Sequence, residues 1–339
     1  MSSDHKEEEL KDGMPSSNGE GMGMSEDVQQ AEEPVSSSKL ERGIDKLERF
    51  RDAREGRFSE GTLRGQRVRS WTEKLILRSA TGVIYAVSIV CCLYLGIIPT
   101  AIIITAMAWL CCSEFYRMVR RAGRMPNEIW GLTAATAYPL AALLPISDAT
   151  LLVTAVFLIG CSAWYVLTPR ANISDVAVTA FGPIYTSLAF SCLVYIRACD
   201  PGFDGFMLTF GVMGSVWLND SFAYLVGSRI GKNKLAPRIS PNKSVEGLWG
   251  GIAASVGIWA IIGFLGLEGI KMPFALVTGI CVAFFSVVGD LFESRIKRGV
   301  GVKDSGDILP GHGGLLDRSD SMLFGGMVAY VLLHLGGIL

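Results

Sequence analysis

The sequence predicts an all-α membrane protein: a polytopic helical bundle of about nine transmembrane helices. Three observations predict it. Half of the 339 residues are hydrophobic and only 19% are charged, less than the quarter or so that a soluble domain carries. Mean hydropathy is +0.38. The apolar residues are also segregated. Residues 1–78 are polar, and the remainder is a series of apolar runs of bilayer length broken by short polar loops.

Residues 1–33 hold ten acidic residues and two lysines, amid Gly, Ser, Met and Gln. Such a segment buries too little to order itself, so 1–38 read as a disordered acidic tail. No apolar core of a signal peptide is visible there. Residues 39–78 form a basic juxtamembrane segment. Within it Leu40, Ile44, Leu47 and Phe50 recur at helical spacing among charges, as in a helix lying on a membrane surface, a solvated helix or a partner-binding arm. The transmembrane domain is placed at 79–339.

Spans are expected near 79–96, 97–113, 129–145, 150–167, 176–196, 205–227, 248–267, 273–292 and 319–338. No period of 20–50 residues points to a repeat architecture. Basic residues favour cytosolic loops. With the N-terminus cytosolic, twelve Lys/Arg between 39 and 78 lie inside. So do Arg117, Arg120, Arg121, Arg124, Arg170, Arg229, Lys232, Lys234, Arg238, Lys243, Arg295, Lys297, Arg298, Lys303 and Arg318. Only Arg197 and Lys271 fall outside, and an odd number of spans makes the C-terminus external. The eight cysteines form no C-x-x-C or Cys/His cluster, so neither a disulfide framework nor a zinc site is indicated.

Two inner segments, Asn219–Gly247 and Asp290–Asp320, are too long and polar to be simple connections. Asp220 lies inside the sixth span and Asp290 near the inner end of the eighth. A carboxylate at bilayer depth costs about 2.5–3.5 kcal/mol even on lenient scales, so each needs a cation, a metal or water. A structural ion pair would meet that need; so would a site. Asp290, Ser294 and Lys297 stand at i, i+4 and i+7 and share one face if the helix continues through them. A carboxylate, a hydroxyl and an ammonium in a row suit a hard cation bound to phosphates, because Mg²⁺ takes one or two carboxylates and leaves the rest of its shell to substrate oxygens and water.

Lys297, Arg298 and Lys303, with Asp304 beside them, can neutralise phosphate oxygens, although a basic loop beside a membrane also serves positive-inside sorting. Pro310-Gly311-His312-Gly313-Gly314 is a turn with bare backbone that can approach a phosphate; His312 alone is a weak signal. Asp317 opens the last span with Asp320 three residues on, which reads as a helix cap, as a second metal-binding carboxylate facing Asp290, or as both. Ser240-Pro241-Asn242-Lys243-Ser244, with Lys232, Arg238 and Glu246, makes a nucleotide-phosphate cradle or an ordinary interhelical loop.

Together these segments resemble the phosphatidate cytidylyltransferase (CDP-diacylglycerol synthase) family in its bacterial form. The C-terminal pattern S-x-[apolar]-K-R-x4-K-D, then H-G-G-[apolar]-x-D-R-x-D, is met in register by Ser294, Ile296, Lys297, Arg298, Lys303, Asp304, Gly306, Leu309, Pro310, His312, Gly313, Gly314, Leu315, Asp317, Arg318 and Asp320. Ser319 stands where the family has an apolar residue or Thr. Asn219, Asp220, Ala223 and Tyr224 match a second stretch, and Ser240, Pro241, Lys243, Ser244, Glu246 and Gly247 a third.

The resemblance covers roughly 75–339 and implies that CTP and phosphatidic acid give CDP-diacylglycerol and pyrophosphate. It implies Mg²⁺ held by Asp290 and Asp317, with Asp220 near them, and in some members a monovalent cation such as K⁺. It also implies a homodimer in the bilayer with no nucleic-acid partner. On this reading Asp290, Asp317, Lys297, Lys303 and His312 carry catalysis, and His312 donates a hydrogen bond instead of acting as a base. Asn219, Asp220, Ser240, Lys243, Ser294, Arg298, Asp304, Gly313, Gly314 and Arg318 complete the nucleotide pocket. The site would face the cytosol from a multi-pass protein of the cell membrane. A CTP-dependent polyprenol or lipid kinase, which moves the γ-phosphoryl group, is the alternative enzyme; a membrane transporter is the alternative outside catalysis.

Overall fold

A computed structural model describes residues 46, 49, 82–146, 148–306, 308 and 313–339. The acidic tail, nearly all of the basic segment 39–78, and Pro310, Gly311 and His312 lie outside the described residues. The chain divides into two units, Met1–Arg67 and Val68–Leu339. Of the first, Lys46 and Arg49 are described, both helical and exposed. The second contains the elements that follow.

Each predicted apolar run is helical. The helices are α1 (Gly82–Leu95), α2 (Ile97–Arg121), α3 (Glu128–Ala141), α4 (Ala149–Leu167), α5 (Ile173–Pro183), α6 (Ala189–Ala198), α7 (Phe203–Ile230), α8 (Val245–Leu265), α9 (Met272–Gly299) and α10 (Leu316–Leu335). Five helical stretches among the described residues are long and apolar enough to cross a bilayer: α2, α4, α5 with α6, α8 and α9. Helix α3, expected as a full span over 129–145, has 14 residues. At 1.5 Å per residue it is about 21 Å long, short of the roughly 30 Å hydrocarbon core.

Between α5 and α6 the chain makes a π turn, Ile184–Leu188, directly after Pro183. Proline removes a helical donor, and the wider turn absorbs the mismatch. The turn carries the buried Tyr185, whose ring packs on Phe181, Phe292 and Phe324.

The fold departs from all-α at one point. The segment expected as an inner loop, Asn219–Gly247, begins as the last turns of α7 and then forms an antiparallel hairpin, β1 (Lys234–Ala236) with β2 (Ser240–Ser244), before α8 starts. Lys234 stands opposite Ser244 and Ala236 opposite Ser240, with an irregularity between. Glu246 ties the base of the hairpin, accepting from the backbone N–H of Lys232 (3.1 Å) and from Asn233 Nδ2 (2.8 Å). Ser244 caps α8, its Oγ accepting from Gly247 N at 3.2 Å.

Helices α7, α8, α9 and α10 pack in sequence, and α2 and α6 close against α10. The core runs through Ile104, Ala108, Phe115 and Tyr116 of α2, Phe190 and Leu193 of α6, and Leu316, Leu323, Ala329 and Leu333 of α10. Where apolar surface gains little by leaving lipid, close packing and interhelical hydrogen bonds do the holding. The seams fit that rule: Ser255 Oγ of α8 donates to Gly279 O of α9 at 3.1 Å, and Trp259 Nε1 donates to Ser215 Oγ of α7 at 3.3 Å. This packing brings the C-terminal ends of α7 and α9 and the N-terminal end of α10 together with the hairpin.

Candidate active site

The site is built on α9. That helix runs unbroken to Gly299, so Asp290, Ser294 and Lys297 do share a face, and Ser294 Oγ donates to Asp290 Oδ1 at 3.4 Å. Two levels lie along this face. The outer one is open to water. Lys243 Nζ of the hairpin meets Asp290 Oδ2 at 2.5 Å, both side chains about a quarter exposed. Asp220, exposed on α7, accepts from Ser321 Oγ of α10 at 3.2 Å and interacts electrostatically with Lys243 and Asp290. The two segments singled out in the sequence therefore meet through Lys243.

The inner level is buried. Lys297 Nζ forms ion pairs with Glu293 and with Asp317, at 2.7 Å from Asp317 Oδ1. Glu293 is fully buried and its Oε1 has no hydrogen-bond partner among the described residues. Asp317 also accepts from Ser305 N (2.9 Å) and Gly314 N (2.9 Å) through Oδ2. This corrects the reading of Asp317 as a helix cap. Leu315 is the N-cap and Asp317 lies inside the first turn of α10, where its carboxylate gathers the preceding loop. The reach of a carboxylate back to Gly314 accomplishes what a cap would.

The loop between α9 and α10 is held from a third side. Glu114 of α2, fully buried, accepts from Leu315 N at 3.0 Å, Leu316 N at 2.8 Å and Ser305 Oγ at 3.1 Å. Gly314 has no room for a side chain there: a Cβ would fall 1.9 Å from Ser305 Oγ and 2.6 Å from Glu114 Oε2. Gly313, at φ 80°, sits in the left-handed region that favours glycine.

The other predicted residues divide. Arg298, Lys303, Asp304 and Arg318 are exposed at the rim, Arg298 Nη1 reaching Val302 O at 3.5 Å. Ser240 begins the second strand of the hairpin, opposite Ala236 and partly buried. Asn219 points elsewhere. It is fully buried against Gly251 of α8, and its amide has no hydrogen-bond partner among the described residues.

Sequence reasoning missed Glu293, Glu114, Ser305 and Ser321. Glu293 was findable, since it stands three residues after Asp290 and four before Lys297. Glu114 was not, because its partners are 191 to 202 residues away.

For a divalent cation the fit is one of chemistry. Among the described residues no three His, Cys, Asp or Glu side chains converge closely enough to form a protein cage. Mg²⁺ does not need one, since substrate oxygens and water complete its shell. Asp220, Asp290, Glu293, Asp317 and Asp320 interact in one cluster, with Lys243 and Lys297 as its ammonium partners among the described residues, and hard oxygen donors in excess suit a hard cation. Asp220 and Asp290 are the accessible members, and among the described residues Asp290 Oδ1 has the long Ser294 contact. Asp317 has both oxygens engaged by Lys297, Ser305 and Gly314.

The model of a family described as "Cytidylyltransferase family" matches residues 76–336. The phosphatidate cytidylyltransferase of Bacillus subtilis (strain 168) is 34% identical over 265 residues, covering 76% of this chain and 97% of that protein. Shorter matches join this chain to proteins of the same name. That of Staphylococcus saprophyticus is 41% identical over 46% of this chain and 58% of its own length. That of Thermotoga maritima is 42% identical over 36% and 47%. A helical membrane bundle, two polar segments drawn together at one end, and a family match across 76–336 lead to one assignment: the chain belongs to the cytidylyltransferase family.

Proposed function

We propose that this chain transfers the cytidylyl group of CTP to phosphatidic acid, giving CDP-diacylglycerol and pyrophosphate in phospholipid synthesis. The observation that carries the reading is the Lys243–Asp290 pair. It joins the hairpin to the carboxylate face of α9, so that acceptors for a cation and an ammonium donor for phosphates stand side by side. The names of the relatives favour this reaction over a lipid kinase or a transporter.

The phosphate of phosphatidic acid forms a bond to the α-phosphorus of CTP, and the bond from that phosphorus to the bridging oxygen breaks as pyrophosphate leaves. The attacking monoester, with a second pKa near 6, is largely ionised at neutral pH, so no strong base is needed. Bringing two anions together is the difficulty, and neutralisation and positioning answer it. Lys243 holds the outer level and exchanges its carboxylate partner for a phosphate oxygen when nucleotide arrives. Lys303, Arg298 and Arg318 meet phosphates at the rim. Lys297 is kept in place by Glu293 and Asp317, and Asp317 also takes the Gly314 N–H of the loop beside it. Asp290, with Asp220 and Asp317, would hold Mg²⁺, which when bound neutralises phosphate oxygens and the departing pyrophosphate. A K⁺ requirement, a homodimer, nine spans, a cytosolic site and N-terminus, and an external C-terminus in the cell membrane belong to the same proposal.

The test is product analysis with the purified full-length protein, Mg²⁺, phosphatidic acid and CTP labelled at the α-phosphate. Label should enter lipid, with one pyrophosphate released per lipid made. Transfer of the γ-phosphate instead would make the protein a kinase, and solute flux without CTP turnover a transporter.

A further inference from the structure

We infer that Glu114 is a positioning residue for this reaction, acting through the loop that holds Asp317 and Lys297. The inference rests on the proposed function. It begins from a carboxyl group with no exposure, on a helix that contributes no other polar group to the site. Burying such a group is costly unless its oxygens are satisfied. Here all three hydrogen bonds come from the two arms of one loop: Ser305 from the arm leaving α9, and Leu315 and Leu316 from the arm entering α10. Each of the three is a donor aimed at the carboxyl oxygens.

The same two arms hold Asp317. Ser305 donates its hydroxyl to Glu114 and its backbone N–H to Asp317, while Gly314, next to Leu315, donates to Asp317. Asp317 in turn holds Lys297. Glu114 therefore fixes the separation of the arms, and that separation sets where Asp317 and Lys297 point. Leu315, the N-cap of α10, makes no side-chain cap bond of its own. Lys303 and Asp304, directly before Ser305, are exposed.

Four proteins decide the matter: wild type, Glu114→Gln, Ser305→Ala and the double variant, each full length and purified. The amide of Gln turns its own N–H groups toward backbone N–H donors, which breaks the clamp at nearly constant volume. In Glu114→Gln, kcat/KM for CTP should fall about 100-fold, the scale of an ångström-sized misplacement. Part of the loss should be a rise in KM for CTP, with KM for phosphatidic acid unchanged. A smaller population of folded enzyme lowers kcat alone, so it cannot imitate this split. Trypsin should cut after Lys303 faster than in wild type, with cutting after Arg121, the exposed end of α2, unchanged. Ser305→Ala should do the same to a lesser degree. The double variant should be little worse than Glu114→Gln, because the hydroxyl has lost its partner.

Wild-type kinetics and wild-type cleavage in Glu114→Gln would overturn the inference, as would fully additive losses. If Glu114→Gln does not fold, Ser305→Ala and Gly306→Ala press on the clamp from the loop side, since a Cβ on Gly306 would fall 2.8 Å from Glu114 Oε1. Normal KM for CTP and normal cleavage in both would then refute it. Should wild type make no CDP-lipid, the proposed function fails, while the cleavage comparison still decides whether Glu114 holds the loop.

Discussion

Asp290 and Asp317, equivalent in the sequence reading, have different duties in the structure, and that difference can be measured. Asp290 touches Lys243 and Ser294 at an open surface. Asp290→Asn should lower turnover about 100–1,000-fold, the loss expected for one electrostatic stabiliser, and leave thermal unfolding and cleavage at Lys303 unchanged. Near-normal CDP-lipid synthesis would remove Asp290 from the site. Asp317→Asn should also inactivate, but it turns an amide toward Lys297 and two backbone donors. Each charged hydrogen bond lost is worth about 1.5–3 kcal/mol, so this variant should in addition show a lower unfolding temperature and faster cleavage at Lys303. Equal stability of the two variants would mean that Asp317 does not hold the loop. The helical spacing of Asp290, Ser294 and Lys297 was legible because an i, i+4, i+7 pattern needs only local geometry. The anchoring of Asp317 was not, since beside Lys297 its partners are the backbone N–H groups of Ser305 and Gly314, which no side-chain pattern reveals.

At the scale of elements, hydropathy located the helices α1 to α10 but stopped short at polar ends. The predicted second span closed at 113, one residue before Glu114, whereas α2 continues to Arg121 because Glu114 finds its donors inside the protein. The hairpin escaped the reading for a related reason. Ser240–Ser244 contains proline and no apolar alternation, and its pairing rests on Glu246 and the Ser244 cap. Ser244→Ala should therefore destabilise the protein by about 1 kcal/mol, the usual cost of a lost N-cap, seen as a lower unfolding midpoint. An unchanged midpoint would show that the hairpin, not the cap, fixes the start of α8. Arg197 belongs to the same scale. Buried, it donates from Nε to Leu93 O at 3.0 Å and from Nη1 to Asp200 O at 2.7 Å, stapling the end of α1 to the turn before α7. Arg197→Lys keeps the charge but not the planar fork, and a clear fall in thermal stability is expected; wild-type stability would show that charge alone suffices.

At the scale of the whole molecule, Arg197 sharpens the topology prediction. It was one of two basic residues on the expected outer side, and its guanidinium is spent on backbone carbonyls. Lys271 is then the single exposed basic residue on that side among the described residues assigned to it. A reporter fused after Leu339 should read as external, and a cytosolic reading would reverse the arrangement of the spans. The grasp of Glu114 on the last loop also has a consequence for how the protein is made. Glu114 is synthesised some 201 residues before Leu315, so throughout most of translation a carboxyl group in an early helix waits without its donors. A chain arrested before α10 would carry an unsatisfied acid into the bilayer, and its lifetime in the cell should be correspondingly short.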